Sequence, residues 1–307
     1  AYEISACLVG SERCIRDSGS PDGSGAICDR YAASHPNQVR ALHQPNGGAG
    51  AARNRGIELA QGDYLLFVDG DDWLAPNLLE DLSASIAATP ADLYLFGALV
   101  ERDGKVTGEL HEELPADLPT HAKDAPQLFF GVMAPWNRAY RRTLFTEGGI
   151  RFATKVWYED IRIVTKVLAL AEQVVRLPGA YYHYLQREGS AMNNKNCARN
   201  VEILYAFDDI LGWFGEHGLR EAYRDELTFL AISHLLIAAS VRVARIDCKS
   251  ELLGQFRDYM EKNFPDFREN RYLPRLDRNK RLVYRLLLKR RYRAVRLLFR
   301  VKDALGR

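Results

Sequence analysis

Tyr64-Leu65-Leu66-Phe67-Val68 is an unbroken apolar run of strand length, the pattern of a parallel strand buried on both faces. It ends at Asp69-Gly70-Asp71-Asp72. Before it, Asn46-Gly47-Gly48-Ala49-Gly50 reads as a turn cluster, and good helix formers over Ala51 to Ala60 with a stop at Gly62 predict a helix. After it, a helix is predicted from about Pro76 to Ala88, a strand from Asp92 to Val100 and a hairpin turn at Asp103-Gly104. Strands alternating with helices predict an α/β layered domain with ligands at the carboxyl ends of its strands. Beyond about Ser190 the periodicity becomes helical, near Val201–Glu216, Glu221–Val243 and Ser250–Asn263. Leu227 to Val241 lacks Asp, Glu, Lys and Arg but is short of the ~20 residues a membrane span needs, so it reads as a buried helix.

Composition adds little beyond this pattern. With 307 residues, 47% hydrophobic and 27% charged, the chain has an ordinary globular mixture, which excludes a disordered or fibrous protein. The five cysteines show no paired or zinc-like spacing and suit reduced thiols in a cytoplasmic setting. The first residues carry no signal-peptide pattern.

Charge changes the picture more. The formal net charge of +2 conceals a basic end: Arg278 to Arg307 holds twelve Lys or Arg and a single acid, Asp303, while the rest of the chain is net acidic. Within that end, Leu282, Val283, Leu286, Leu287, Val295, Leu298, Phe299 and Leu305 recur at helical spacing. Apolar side chains beside arginine favour a helix lying in an anionic lipid headgroup layer over one laid along nucleic acid. A terminal helix docked on the body with solvated arginines is the alternative.

Candidate chemistry concentrates in four places. Asp69 and Asp71 are two apart at a strand end, so their carboxylates can converge on one hard cation, Mg²⁺ or Mn²⁺. The glycine-rich segment from Asn46 to Gly50 lets backbone N–H groups approach an anion at a helix start, although it is not a Walker-type loop. Glu159-Asp160, after Trp157-Tyr158, offers either a general base or a helix cap. Tyr181 to Ser190 holds His183 and Arg187, which could meet a metal–diphosphate group, among aromatics that could equally be core.

Taken together these clusters resemble family 2 glycosyltransferases with a GT-A fold, particularly bacterial enzymes that build surface polysaccharides. The resemblance is carried by Asp22 to Asp29, Asn46-Gly47-Gly48-Ala49-Gly50-Ala51-Ala52-Arg53-Asn54-Arg55-Gly56, Phe67-Val68-Asp69-Gly70-Asp71-Asp72, Pro135-Trp136-Asn137-Arg138-Ala139-Tyr140, Tyr158-Glu159-Asp160 and Gln186-Arg187-Glu188-Gly189-Ser190. It implies an α/β GT-A domain, a Rossmann-like mixed, mainly parallel sheet flanked by helices, over 1–190. A helical extension over 191–277 and a basic amphipathic tail helix over 278–307 follow. It implies inverting, Mn²⁺- or Mg²⁺-dependent transfer of a sugar, a hexose or N-acetylhexosamine, from a nucleotide-diphosphate sugar (usually UDP) to an acceptor hydroxyl. By position, Asp160 would be the base, and Asp69, Asp71 and His183 the metal set, with Asp69 alternatively on the ribose. Asp17, Asn46, Gly47, Arg53, Asp69, Trp136, Glu159 and Arg187 would line the substrates, Arg53 near the nucleotide and Trp136 bordering the acceptor.

The expected partners are a nucleotide-sugar donor, a saccharide or lipid-linked saccharide acceptor and an anionic membrane surface met through 278–307, with no nucleic acid; a homodimer is compatible with the sequence. The expected location is cytoplasmic, peripheral on the inner face of the cell membrane. Only twelve residues separate Ile4 from Asp17, too few for the strand, crossover helix and second strand that open the family's fold, so this unit is expected to be shortened. Two alternatives stand beside the transferase. One is a non-catalytic, membrane-associated relative; the other is a nucleotidyltransferase, which would need a basic triphosphate loop that the sequence does not show.

Overall fold

The computed structural model describes residues 4–9, 12–17, 23–187 and 197–304, with only the backbone course of 4–9, 12–17 and 197. The chain divides into two compact units, Ala1–Met192 and Asn193–Arg307.

The first unit contains ten strands: β1 (Ile4–Val9), β2 (Glu12–Asp17), β3 (Val39–His43), β4 (Tyr64–Asp69), β5 (Trp73–Leu74), β6 (Leu93–Arg102), β7 (Lys105–Leu110), β8 (Thr120–His121), β9 (Arg138–Arg141) and β10 (Gln173–Leu185). Its helices are α1 (Ser24–Ser34), α2 (Gly48–Leu59), α3 (Leu78–Ala88), α4 (Thr143–Thr146) and α5 (Glu159–Leu170). The strands form one mixed sheet in the order β3-β2-β1-β4-β9-β6-β10-β5, with β7 beside β6 and β8 beside β10. The layered α/β class expected from the sequence is therefore the one observed.

The pairing directions correct one expectation. The apolar run Tyr64 to Val68 is a buried strand, with Leu65 and Phe67 at 0% exposure, but both its neighbours, β1 and β9, run antiparallel to it. Adjacent parallel pairs are β2–β3 and β6–β10 only among the described strands. The reason is visible at the start of the chain. Two residues separate β1 from β2, enough for a hairpin and far short of a crossover, so β1 lies antiparallel to β2 with Cys7 opposite Cys14. By these pairings β2, β3, β4, β6 and β10 still point one way, with β1, β9 and β5 inserted against them. The carboxyl ends of β2, β4, β6 and β10 thus fall along one edge, which gathers Asp17, Asp69, Glu101 and the residues after His183 on the same rim of the sheet.

One sheet face buries Leu66, Val68, Tyr94, Phe96, Ala98, Trp136, Val175, Leu177 and Tyr182 with Leu78 and Leu82 of α3. By strand alternation the other face carries Leu65, Phe67 and Asp69. There Phe67 meets Tyr140, Phe145 and Phe152 edge-on at 5.3–5.9 Å between ring centres. Helix α2 is locked to the irregular segment after Ile150. Asn54 Nδ2 donates to the Phe152 carbonyl at 2.8 Å, and Phe152 N–H donates back to Asn54 Oδ1 at 2.8 Å. Gly50 makes the approach feasible, since a Cβ there would lie 2.2 Å from the Ala153 carbonyl oxygen.

The second unit is helical: α6 (Glu202–Glu216), α7 (Arg224–Ala231), a π-helical stretch Ile232–Ala239, α8 (Ser240–Ile246), α9 (Leu252–Asn263), α10 (Arg278–Leu288) and α11 (Tyr292–Ala304). Arg224–Ile246 is one continuous helix whose most apolar stretch has a mean hydropathy of 1.8, long and apolar enough to cross a membrane, but 72% of that stretch is buried in the protein, as a core helix would be. The basic tail divides into α10 and α11. Val283, Tyr284, Leu287 and Val295 are buried, and α11 is tied to α8 by an Arg245–Asp303 ion pair of 2.7 Å. Leu282 (46% exposed), Leu297 (63%), Leu298 (36%) and Val301 (50%) remain in solvent. At about 100° per residue, Leu297 and Val301 lie on the side of α11 away from buried Val295, beside Arg293 and Arg300.

Two glycine substitutions should separate close approach from simple helix propensity. Gly50→Ala gains helix propensity of about 1 kcal/mol but drives a Cβ into backbone, so a net loss of about 1–3 kcal/mol is expected in urea unfolding of the first unit. Gly212→Ala in α6, where nothing lies within 4 Å of an added Cβ, should stabilise by about 0.5–1 kcal/mol.

Candidate functional site

The centre of the site is one buried guanidinium. Arg53, on α2 and only 4% exposed, donates from Nη2 to Asp69 Oδ1 at 2.8 Å and from Nη1 to Asp160 Oδ1 at 3.0 Å, with Glu159 Oε1 at 3.6 Å. Its plane lies over the Phe152 ring, 5.3 Å from the centroid, and its Nε is buried without a hydrogen-bond partner. Burial alone would lower the pKa of this arginine. The three carboxylates more than offset that, and the net shift is upward. Within the protein Arg53 is the counter-ion that binds the end of β4 to the start of α5.

Asp160 and Glu159 open α5, behind Tyr158 in the left-handed region at φ +64°. The N-cap residue Tyr158 supplies no side-chain capping bond, and Asp160 is turned to Arg53. The Asp160 side chain keeps 39% of its surface, yet protein crowds it on most sides, as at the floor of a depression. Poor hydration there, with Glu159 adjacent and Asp69 near, pushes its pKa up to about 7 against the pull of Arg53. That is the range in which a carboxylate serves best as a general base at neutral pH.

Asp69 to Asp72 form a turn closed by Asp72 N–H donating to the Asp69 carbonyl at 3.0 Å. The four residues divide their tasks. Asp69 faces Arg53, and Asp71, 37% exposed, is contacted by Arg187. Asp72 turns inward, accepting from Leu185 N–H at 2.8 Å and from the Tyr182 hydroxyl at 2.7 Å; burial pushes its pKa up to about 7. The same Tyr182 oxygen accepts from Asp69 N–H at 3.1 Å. Tyr182 is fully buried and clamps the turn to β10. Sequence reasoning assigned no role to Tyr182 or Asp72. The signal available was the third carboxylate of the run beside a tyrosine-rich strand.

The remaining expected site residues are dispersed. Asn46 Oδ1 accepts from Gly48 N–H at 3.0 Å and closes a turn in which Gly48 adopts φ +77°. Gly47 precedes α2, where a Cβ would come 2.7 Å from that of Ala51. This segment fits the chain's own packing, and its glycines are explained without a phosphate. Trp136 is 6% exposed and stacks on Tyr182 and Tyr184 at 4.4 and 5.3 Å, so it is a core residue beneath the site rather than an open border of an acceptor. Its neighbours Asn137 and Arg138 are buried around Glu112, with Arg138 Nη2 to Glu112 Oε1 at 3.2 Å, which fixes that stretch. His183 is not turned to Asp69 or Asp71. Its Nδ1 meets Glu101 Oε1 at 2.6 Å and its ring stacks on Trp73, which turns it to the far end of the sheet face from Arg53. Asp17 ends β2 on the same rim, and its side chain lies outside the described residues, as do Glu188, Gly189 and Ser190.

For a divalent cation the donor set is narrow. Among the described residues no three His, Cys, Asp or Glu side chains converge as a protein cage. The half-exposed carboxylate of Asp71, with Asp69 beside it in the same turn, fits a hard cation whose other positions are filled by water and a diphosphate.

Residues 11–149 match the model of Glycosyl transferase family 2. The chain is 32% identical over 190 residues to the glycosyltransferase GlyG of Streptococcus pneumoniae, covering 58% of this chain and 62% of that one. It is 33% identical over 179 residues to the uncharacterized glycosyltransferase YibD of Escherichia coli, covering 55% and 51%. The crystal structure of Staphylococcus aureus TarS 1-349 in complex with UDP-GlcNAc resembles it in fold, with a TM-score of 0.52, 20% identity and 83% and 81% of the two chains covered. The chain spans about half to two thirds of the length of such curated relatives. Over residues 11–149, then, the chain is similar to glycosyl transferase family 2.

Proposed function

We propose that the protein transfers a sugar from a nucleotide-diphosphate sugar, of UDP type, to a hydroxyl of a saccharide or lipid-linked saccharide, with inversion, in the building of a bacterial surface polysaccharide. The observation that carries this reading is the pair Asp69 and Asp160, brought from the carboxyl end of a buried strand and the start of a helix onto one arginine. That TarS is crystallised with UDP-GlcNAc and with UDP supports the donor class.

In this reading Asp160, held by Arg53 and with its pKa near neutrality, accepts the proton of the attacking hydroxyl. One base on the face opposite the leaving group suffices for inversion, and no covalent nucleophile is needed. Asp71, with Asp69, would hold Mn²⁺ or Mg²⁺. The cation, when bound, supplies Lewis-acid stabilisation of the departing diphosphate. Arg187 contacts Asp71 and would pair with the same phosphate oxygens.

The tail supports a second element of the proposal. With one side of α11 docked on α8, Leu297 and Val301 stand exposed beside Arg293 and Arg300. Such a face suits the headgroup region of anionic lipid, where apolar burial and charge act together. The protein would then sit peripherally on the inner face of the cell membrane.

Four measurements test these assignments. Asp71→Asn should weaken UDP binding in the presence of Mn²⁺ by calorimetry, with little change in its absence; equal affinities for UDP and Mn²⁺ would remove Asp71 from the metal set. Asp160→Asn should leave UDP affinity within a few-fold and lower turnover by roughly 10²–10⁴. Because the ionised carboxylate is the active form and its pKa is raised to about 7, wild-type turnover should fall about tenfold per pH unit below that value. A rate flat from pH 8 to 5 would assign the proton to another group. Leu297→Glu/Val301→Glu should leave the melting temperature unchanged and abolish sedimentation with phosphatidylglycerol liposomes at low salt. Retained sedimentation would exclude that helix face.

A further inference from the structure

Trp73 is 42% exposed, a large aromatic in solvent two residues after Asp71. It sits on β5, the strand at the end of the sheet, and pairs directly with His183 of β10. The two rings stack at 5.1 Å between centroids and 15° between planes, so the imidazole covers one face of the indole. His183 is in turn held by Glu101 of β6 at 2.6 Å, and the side chains of His183 and Glu101 are 21% and 14% exposed. Arg102 and Gln186 are joined beside them at 3.0 Å, and Gln186 N–H donates to the Glu101 carbonyl at 2.8 Å. Registers and alternation place Trp73, His183 and Glu101 together on the sheet face that carries Asp69, opposite the one filled by Trp136, Tyr182 and Tyr184.

None of the donor chemistry uses these residues. A solvent-facing indole buttressed from behind by a hydrogen-bonded imidazole is costly for a merely structural edge, since the open face gains nothing in packing. It has the form of a platform for a ligand that is apolar on one face and polar around its rim. A pyranose ring fits that description: its axial C–H groups lie on the electron-rich ring face, and its hydroxyls reach Glu101 and Gln186 at the edge. Cα atoms two residues apart are at most about 7 Å from one another, so a sugar on Trp73 lies about one ring's length from a diphosphate held at Asp71.

We infer that Trp73, supported by His183 and Glu101, is the binding platform for the terminal sugar of a saccharide acceptor. The inference rests on the glycosyltransferase reading for the word acceptor, and on the platform's geometry for the word sugar. Saturation-transfer NMR on the full chain tests both, with UDP plus Mg²⁺ and, separately, methyl β-glucoside, methyl β-galactoside and methyl β-N-acetylglucosaminide as probes. At least one glycoside should show transfer to its ring protons. Trp73→Ala should weaken that binding on the order of tenfold and Trp73→Phe should largely retain it, with the uridine signals of UDP unchanged in both variants. Glycoside signals that persist in Trp73→Ala, or that are absent from the wild type at tens of millimolar, would overturn the platform. Glycoside binding that depends on Trp73 without any UDP signal in the wild type would overturn the donor reading, and with it the acceptor role, while leaving a sugar site.

Discussion

A buried arginine surrounded by carboxylates is the constraint on which the first unit's rim depends. Arg53 cannot be deprotonated in a protein, and it cannot stay 4% exposed without compensation. Asp69 and Asp160 supply that compensation, and in doing so they are held at fixed positions across the sheet's edge. Removing either acid leaves a buried charge less than fully paired, and removing the arginine sets three acids against each other. The positions of the acids are thus determined by a charge balance rather than by loop packing. The same balance tunes Asp160: crowding and Glu159 push its proton affinity up, and Arg53 limits the rise.

The tyrosine and asparagine clamps serve the same arrangement from two sides. Tyr182 fixes the turn that carries Asp71 by bonding both Asp72 and the Asp69 backbone, and Asn54 fixes the segment that leads into α5 by two bonds to Phe152. Each clamp satisfies polar groups that would otherwise be buried unpaired, so neither can be lost without a penalty in stability as well as in geometry. Specific chemistry at the rim rests on the rigidity of these supports.

Much of this was legible in the residue pattern, and the failures have physical causes. The strand ending at Asp69, helix α2, the Asp103-Gly104 hairpin and the long helices of the second unit follow from local periodicity, which a single segment carries. Strand direction does not, because it depends on neighbours: the apolar run at Tyr64 to Val68 reports burial on two faces and is silent about β1 and β9 running against it. Motif residues were located correctly as a rim but not in their contacts. That Arg53 is the counter-ion of two acids was not foreseen; Trp136 looked like a border and is core; His183 looked like a metal ligand and faces Glu101 and Trp73. His183 shares the sheet face of Asp69 but stands on β10, separated from β4 by β9 and β6, and sequence does not give the order of strands.

The bonds that assemble the rim also have a temporal meaning. Arg53 reaches Asp160 across 107 positions and Asn54 reaches Phe152 across 98. Contacts of such sequence separation close large loops, and chains dominated by them pay the loop entropy before the reward arrives. A nascent or partly unfolded chain can therefore own the strand of Asp69 and the helix of Asp160 while the two remain unconnected. On the proposed function, competence would require that long-range closure, and a chain caught before it would be silent toward any substrate it meets.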